Sequence, residues 1–390
     1  MNVLQLEKFQ CTGCGYCVYI CPKNAIEMEI DEMGFVFPKV TDKCVECGKC
    51  IKECPNRSDT RELTKPLVSF AAVRSDNEKL NKSSSGGVFA SIAESVLKKN
   101  DWYVTGCILS DGFKPVQIIT NDRIEVEKIY GSKYVQCSMG EIYIKIRKKL
   151  SEGKSVLFSG TPCQVSAVKK YVNNHQNLFT IEVICHGVAN ERMFLSYLDL
   201  FGIYSINGFI FRDKKQGWSY NNRVFLRDGK SIKINHRLSS YMSYYLNGEI
   251  YRESCYSCKY ACEQRGADIT VGDFWGIMRR RPDLKDKIDM EKGVSCLMIN
   301  SEKGKMLMKN TDLQLFPVNY EDIKEGNEPL NHPSTHTDKR NQILEIWRRN
   351  KNWKDIDRYW KEKDYRFVYK LWSLAPLKMQ HKIRVLLNKR

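Results

Sequence analysis

Eight of the sixteen cysteines in this chain fall into two copies of one spacing within its first 54 residues. Cys11, Cys14, Cys17 and Cys21, followed by Pro22, form C-x2-C-x2-C-x3-C-P, and Cys44, Cys47, Cys50 and Cys54, followed by Pro55, repeat it. Three thiolates spaced two residues apart wrap three corners of one cubane. The fourth points away after one helical turn and must serve a second cubane. The pattern therefore assigns Cys11, Cys14, Cys17 and Cys54 to one 4Fe–4S cluster, and Cys44, Cys47, Cys50 and Cys21 to another. Gly13, Gly15 and Gly48 let the backbone curl close to the sulfides, where its N–H groups stabilise cluster charge. Zinc knuckles take four ligands in two pairs, which leaves the third cysteine and the Cys-Pro ending without a purpose. A disulfide framework requires an oxidising compartment, and the sequence opens Met1-Asn2-Val3 without a charged-then-apolar leader. The expectation is a reducing, cytoplasmic setting with thiolates kept for metal or redox work.

The chain of 390 residues is long enough for two or three domains, and no run of eighteen apolar residues suggests a transmembrane helix. Its net charge of +17 invites a nucleic-acid reading, but the last sixty residues carry +10 of it and the cysteine-rich segment is slightly acidic. No recognition motif supports nucleic acid as a partner. Ala25 to Ile30 and Phe35 to Pro38 alternate about a turn at Asp31 to Gly34, which predicts a hairpin between the two cysteine runs. Polar residues 56–65 read as a linker. The fold class expected is multidomain α+β or α/β: a ferredoxin-like two-cluster module over 1–60, then a mixed α/β body over 61–150 and 151–330, then a basic aromatic helical tail over 331–390.

Within the body, Val68 to Val73 reads as a buried strand. Ser83-Ser84-Ser85-Gly86-Gly87 then opens a helix from Val88 to Leu97, a turn whose free N–H groups suit a phosphate, although a plain serine N-cap without a ligand explains the same letters and is favoured on them alone. Trp102 to Leu109 and Pro115 to Thr120 read as paired strands. Tyr130-Gly131-Ser132-Lys133-Tyr134-Val135 is a second Gly-Ser turn, and Glu141 to Leu150 an amphipathic helix. Two further strands end in polar turns: Ser155 to Ser159 runs into Gly160-Thr161-Pro162-Cys163-Gln164 before a helix over Val165 to Tyr171, and Leu178 to Ile184 into Cys185-His186-Gly187. Strand, tight polar turn and helix place a ligand at the carboxyl end of a sheet. After a helix from Glu191 to Phe201, strands are expected at Gly208 to Arg212 and Asn222 to Leu226. Cys255-x2-Cys258, Cys262 and Ala267-Asp268-Ile269-Thr270-Val271-Gly272-Asp273-Phe274-Trp275-Gly276 follow.

Taken together, Gly160 to Gln164, Cys185-His186-Gly187, Cys255-x2-Cys258 and Ala267 to Gly276 make the chain resemble the beta subunits of coenzyme F420 hydrogenase and dehydrogenase. Ser85-Gly86-Gly87 and Gly131 to Tyr134 match the amino-terminal half of that family, and the resemblance covers roughly residues 1 to 330. Its relatives include the reductase of 7-hydroxymethyl chlorophyll, subunits that oxidise reduced F420, and bacterial members associated with polysaccharide genes. The resemblance implies FAD beside the iron–sulfur clusters, with Ser85, Gly86, Gly87, Ser132, Lys133, Tyr134, Gly160 and Thr161 near the cofactor. It also implies a third cluster on Cys163, Cys185, Cys255 and Cys258, with Cys262 as the alternative to Cys163 and a zinc site or buried thiol pairs as the alternative to iron. Cys107, Cys137 and Cys296 are expected to be core thiols.

The function expected is an oxidoreductase in which a flavin converts one-electron traffic from the clusters into hydride exchange with F420 or another two-electron partner. The alternative is an electron-transfer subunit without catalysis of its own, partnered by ferredoxin or another subunit and linked to polysaccharide biosynthesis. Lys133, Arg212 and Lys215 are candidates to stabilise a reduced flavin or an acidic substrate, or else form a solvated basic face. His186 is a candidate proton donor or a structural histidine, and no catalytic acid is assigned. From Ile343 onward, Trp347, Trp353, Tyr359, Trp360, Phe367 and Trp372 alternate with Arg and Lys. They suggest two helices broken at Pro376, the last over Lys378 to Leu387. An aromatic stripe packed on the body is favoured, and peripheral contact with an anionic membrane face is the alternative.

Overall fold

The computed structural model describes residues 2–57, 63–215 and 217–374. Alternation between the cysteine runs produces β1 (Ile26–Ile30) and β2 (Val36–Val40), antiparallel with Ile26 opposite Val40 and Ile30 opposite Val36. The Asp31 carboxylate accepts the N–H groups of Met33 and Phe35, which sets the turn. Each cysteine run contains a short helix, Tyr16–Ile20 and Lys49–Lys52, entered through a left-handed glycine, Gly15 and Gly48. The two halves of the module therefore repeat one local solution. Of the expected linker, residues 58–62 lie outside the described residues, and Thr64 already bridges to Arg265 of the body.

The body contains β3 (Val68–Arg74), β4 (Trp102–Leu109), β5 (Pro115–Thr120), β6 (Ser155–Gly160), β7 (Leu178–Val183), β8 (Ile206–Ile210), β9 (Asn222–Leu226), β10 (Ser231–Ile234), β11 (Ile269–Asp273), β12 (Ser295–Ile299) and β13 (Leu313–Pro317). Eight of these make one sheet in the order β13-β3-β12-β11-β7-β6-β4-β5, and β10-β9-β8 form a smaller antiparallel one. The centre of the large sheet, β4, β6, β7 and β11, is parallel; its outer pairs are antiparallel. Strands from before and after residue 150 interleave, with β3 between β13 and β12, and β4 beside β6.

A central parallel sheet is covered on both faces, so each strand must be apolar on both. Along β6, Leu157 packs with Val88, Ile92 and Val96 of the helix Val88–Val96. Its neighbours Val156 and Phe158 face the opposite layer, the helices Ile142–Ser151 and Pro162–Tyr171. Ala72 of β3 and Leu297 of β12 share the first face, while Ala71, Val73, Cys296 and Met298 turn to the other. This period-two exchange holds the sheet between two helical layers and brings the carboxyl ends of β6, β7 and β11 to one edge.

The cysteine module is packed onto this edge. Tyr16 joins the core beside Tyr143 and Phe158, and the Tyr143 hydroxyl donates to the Cys14 carbonyl at 2.8 Å. On the other side, Asn190 Nδ2 and Trp347 Nε1 both donate to the Met33 carbonyl at the hairpin turn, at 3.0 and 2.8 Å. The tail supplies Trp347 from the helix Asp338–Asn350; Lys351, in a left-handed conformation, separates it from the helix Trp353–Lys363. Trp347, Trp353 and Trp360 are 1%, 0% and 3% exposed, so these indoles belong to the core shared with Tyr197 and Tyr241. Helical turns here form three segments, the third being Phe367–Leu374. The expected break at Pro376 and the helix over 378–387 lie outside the described residues.

An ion cluster around the buried Arg74 ties β3 to the helix behind it. Glu94 accepts from Arg74 at 2.9 and 2.7 Å and from Lys79 at 2.8 Å, and Arg74 also reaches Asp312. Burial pushes the Glu94 carboxyl up, but the bonds from Arg74 and Lys79 outweigh it and hold it at about 2 against an ordinary 4.5. Its folded value lies below its unfolded one, so its stabilisation is complete above pH 4.5 and is lost as the pH falls towards 2. Glu94→Gln is expected to flatten the acid limb of a stability-versus-pH curve over that window and to cost about 1–3 kcal/mol at neutral pH. Trp353→Ala is expected to cost about 3–5 kcal/mol in denaturant unfolding, whereas Phe367→Ala, at a 61% exposed position, should stay within about 0.5 kcal/mol.

Candidate functional site

Two groups of thiols form inside the amino-terminal module. Cys21, Cys44, Cys47 and Cys50 line one small cavity together with Pro22 and Gly48. Cys11, Cys14, Cys17 and Cys54 lie close together: burial first, then Cys54 and Cys11, pushes the Cys14 thiol up to about 12, and Cys17 is raised by burial and then by Cys14, Cys11 and Cys54. Cys17 also feels Cys50, so the two groups adjoin. Of the sixteen cysteines only Cys47 is exposed.

A third group forms where the parallel strands end. Cys163 sits in the first turn of the helix Pro162–Tyr171, whose start is fixed by a reciprocal pair: the Thr161 side chain accepts from the backbone of Gln164, and Gln164 Oε1 accepts the Thr161 N–H at 3.1 Å. Cys185 follows β7 directly. Cys255 closes the turn Glu253–Cys255, and the segment after Cys258 is anchored by a buried ion pair, Arg265 Nε to Glu182 Oε1 of β7 at 2.6 Å. Burial, then Cys258 and Cys255, pushes Cys163 up to about 12; Cys185 is raised by burial and then by Cys255, Cys163 and Cys258. Cys262 instead turns its thiol to the carbonyls of Lys259 and Gln264. Buried thiols packed this closely cannot all ionise unless a cationic centre among them offsets the charge. Among the described residues, no three His, Cys, Asp or Glu side chains converge as a single ion requires.

Cys163, Cys185, Cys255 and Cys258 all line one cavity of about 780 Å³, and Cys14 of the module reaches its wall. The same cavity is lined by Ser83, Ser84, Ser85, Gly87, Gly131, Ser132, Lys133, Tyr134, Gly160 and Thr161. The two serine-rich turns are joined, since the Ser132 N–H donates to Ser84 Oγ at 2.6 Å. Gly86 stands apart from the lining. A side chain there would meet the Ala72 carbonyl at 2.0 Å, so this glycine serves the close approach of the turn to β3 and β12.

Several charged residues have uses the sequence did not suggest. Lys133 faces the cavity, yet its ammonium donates to the carbonyls of Lys128, Ile129 and Tyr130, and burial pushes it down to about 8. Arg212 is buried away from the lining, donates two hydrogen bonds to the Asp273 carboxylate at 2.8 and 3.1 Å, and holds the Tyr134 hydroxyl at 2.8 Å. Lys215 is exposed. Its neighbour Lys214 reaches inward instead and donates to the carbonyls of Leu80 and Ser85, which fixes the first serine turn. His186 lines the cavity and is pushed below its ordinary value by burial, hence neutral at pH 7. Cys296 is a core thiol, as expected. Cys107 and Cys137 are not: both line the cavity, because the Gln117 N–H bonds the Ser138 carbonyl and draws residues 137–138 along the edge of β5.

Arg252 was not singled out by any motif. It is 1% exposed, and its Nε donates to the Cys11 carbonyl at 2.8 Å, with Nη2 3.8 Å from Cys11 Sγ and Nη1 3.3 Å from Gln136 Oε1. Its plane lies over Phe37 at 4.1 Å. A cation held against the first thiol group, three residues before Cys255, links the module to the cavity.

These features define an iron–sulfur protein in which a two-cluster module is fused to a mixed α/β body. Residues 10–58 match the family model of the 4Fe-4S dicluster domain, and residues 153–316 match that of the carboxyl-terminal part of the coenzyme F420 hydrogenase/dehydrogenase beta subunit. The chain thus carries, over residues 153–316, a domain of the kind found in that oxidoreductase beta subunit, with a dicluster domain in front. No curated protein matches the chain. Among solved structures it is similar to a chain of the F420-reducing NiFe hydrogenase complex from Methanosarcina barkeri, at 16% identity and a TM-score of 0.47, over 73% of this chain and 93% of that one.

Removing the cation beside Cys11 should make the nearest cluster harder to reduce. Loss of a unit charge about 4 Å away is worth roughly 4 kcal/mol at an effective dielectric constant near 20, so Arg252→Gln is expected to lower that cluster's potential by on the order of 100 mV. An EPR-monitored redox titration reads the shift, and Arg252→Lys should recover part of it.

Proposed function

We propose that this chain is an iron–sulfur flavoprotein that passes electrons between its dicluster module, a third 4Fe–4S cluster and FAD, and exchanges hydride with F420 or another two-electron partner. The observation that carries this reading is the shared cavity: four cysteines, two joined serine-glycine turns and Cys14 of the module all line one space. Its volume of about 780 Å³ lies within the roughly 300–1,000 Å³ of sites that hold cofactor-sized ligands.

The residues suit the groups proposed. Cys163, Cys185, Cys255 and Cys258 supply four thiolates, the donor number a 4Fe–4S cluster takes. Cys163 fills the fourth place because Cys262 is turned to backbone carbonyls. The turns that carry Ser84, Gly87 and Gly131 line this space with groups of the kind that bind a pyrophosphate, held in shape by the Ser85 hydroxyl on the Val294 carbonyl and the Ser132 N–H on Ser84 Oγ, and Gly160 and Thr161 bring the end of β6 to the same space. Tyr134, Tyr220, Tyr245, Tyr251 and Trp275 add aromatic faces against which a planar ring system packs. When bound, a flavin supplies the conversion between one-electron and two-electron steps.

The order of contacts supports a path. Cys47 is the exposed cysteine and lies in the outer thiol group. Cys50 adjoins Cys17 of the inner group, whose Cys14 adjoins Cys163. Arg212 and Asp273 act as positioning residues by fixing Tyr134 and Trp218, and Lys214 fixes the Ser85 turn. The second reading, an electron-transfer subunit of a larger complex, is favoured by the open edge at Cys47, where Val45 is 60% exposed. Among the described residues no helix is long and apolar enough to cross a membrane.

Protein purified without oxygen is expected to carry about twelve irons, matching sulfide, and one FAD per chain. Cys185→Ser should lose about a third of the iron while the module's signals persist. Loss of all iron signals would contradict separate sites, and a colourless, zinc-loaded protein would overturn the reading. Bleaching of the flavin by reduced F420, NAD(P)H or reduced ferredoxin identifies the partner. A chain that binds flavin but is reduced only by a one-electron carrier would favour the second reading.

A further inference from the structure

The basic tail divides in two, and its second part has no use in the scheme above. Up to Trp360 the aromatic stripe packs into the core, and residues 338–364 set six carboxylates against nine cations. Arg348 and Arg349 pair with Glu345, Arg358 with Asp355, Lys361 with Asp357 and Lys339 with Asp364. This first part is a docked pair of helices whose charges are largely matched. From Arg366 both properties are lost. In the helix Phe367–Leu374, Phe367 is 61% and Val368 59% exposed, and the flanking Arg366 and Lys370 are exposed with them. Tyr369 turns to the body instead, its ring 5.2 Å from the Arg237 guanidinium.

The sequence from Arg366 to Arg390 contains seven Lys and Arg residues and not one Asp or Glu. Leu371, Trp372 and Leu374 continue the apolar spacing that Phe367 and Val368 begin. Beyond the described residues, Met379, Ile383, Leu386 and Leu387 recur at the i, i+4, i+7 and i+8 positions of a helical stripe, with Lys378, Lys382 and Arg384 between them. We propose that residues 366–390 seat this protein on the surface of an anionic lipid bilayer, with Phe367 and Val368 entering the boundary between headgroups and acyl chains and the seven cations facing the lipid phosphates.

A bilayer surface is the occupant that uses both features at once. It takes up apolar side chains along one stripe and attracts each cation beside them, and no carboxylate in this stretch opposes that attraction. A nucleic acid would engage the cations and leave Phe367 and Val368 in water. Packing on the body would bury those two side chains, as it buries Trp353. The segment lies on the surface and does not span it, because its longest run without a charge is the seven residues from Leu371 to Leu377 and a spanning helix needs about twenty. Trp347 and Trp353 hold the preceding helices to the core, so a seat at residues 366–390 fixes the whole chain at the surface.

Vesicle sedimentation of the full-length, iron-loaded protein tests this. One set of vesicles is phosphatidylcholine alone, and the other contains about one third phosphatidylglycerol. The apparent affinity is expected to be at least about tenfold higher for the anionic set and to fall towards the neutral value as ionic strength rises from about 0.05 to about 0.5 M. Reversing three charges together, Lys378→Glu, Lys382→Glu and Arg384→Glu, should abolish the difference between the two sets. Phe367→Ser with Val368→Ser should weaken binding about fivefold and leave its salt dependence in place. Both variants should keep wild-type iron content and unfolding midpoint, which separates lost binding from lost fold. Equal affinity for the two sets, or binding to neither, would overturn the proposal, and so would wild-type binding by the charge-reversed protein. Retention on heparin without binding to vesicles would assign the cations to another polyanion and overturn it equally.

Discussion

One guanidinium decides how the two parts of this molecule meet. Arg252 is buried, and its partners among the described residues are a carbonyl, an amide oxygen, a thiol and aromatic rings, none of them a carboxylate. A buried cation without a counter-charge is costly, and the natural compensation here is the negative charge of a thiolate-ligated cluster at Cys11. Gly13 shows how closely the two surfaces are pressed together: a side chain there would come within 2.9 Å of the guanidinium carbon. Because Arg252 and Cys255 belong to one turn, whatever fixes Arg252 against the module also fixes Cys255 in the cavity. The Arg340 guanidinium holds that turn from behind through Glu253 and the Tyr251 carbonyl.

The sheet supplies the second constraint. Parallel strands bring their carboxyl ends to one edge, and at that edge there are no ladder partners left for the backbone, so the turns that follow are free to present side chains. Thr161 and Gln164 stabilise one such turn and the Arg265–Glu182 pair another. Three chain segments far apart in sequence thereby place four thiols around one space. The distribution of charge follows the same logic: Arg212, Lys214 and Lys133 are spent on Asp273 and on backbone carbonyls, and their effect on a ligand is through the loops they hold.

Much of this was legible in the residues. The cysteine spacing predicted the module, and the hairpin between its halves follows from alternation alone. β4 and β5 occur with the bounds expected, since Asp111-Gly112 is an unambiguous turn. Other elements were less visible. Ile269 to Asp273 reads as part of a motif, yet it is the strand that completes the parallel centre; its pairing with β7 and β12 is a tertiary fact no local pattern reports. Arg252 and Lys214 carried no signal because an isolated basic residue looks the same whether it is solvated or buried. Cys107 and Cys137 lie thirty residues apart, and only the path of residues 137–138 along β5 brings them to one wall. The tail's aromatic spacing did indicate a packed stripe, and Trp347, Trp353 and Trp360 are buried accordingly.

The Met33 carbonyl, clasped by Asn190 and Trp347, has a consequence for how the molecule is assembled. Trp347 leaves the ribosome more than three hundred residues after Met33, so the hairpin stays unlatched through most of synthesis. The contact between the module and the body at this turn is therefore completed only once the carboxyl-terminal helices have been made and docked.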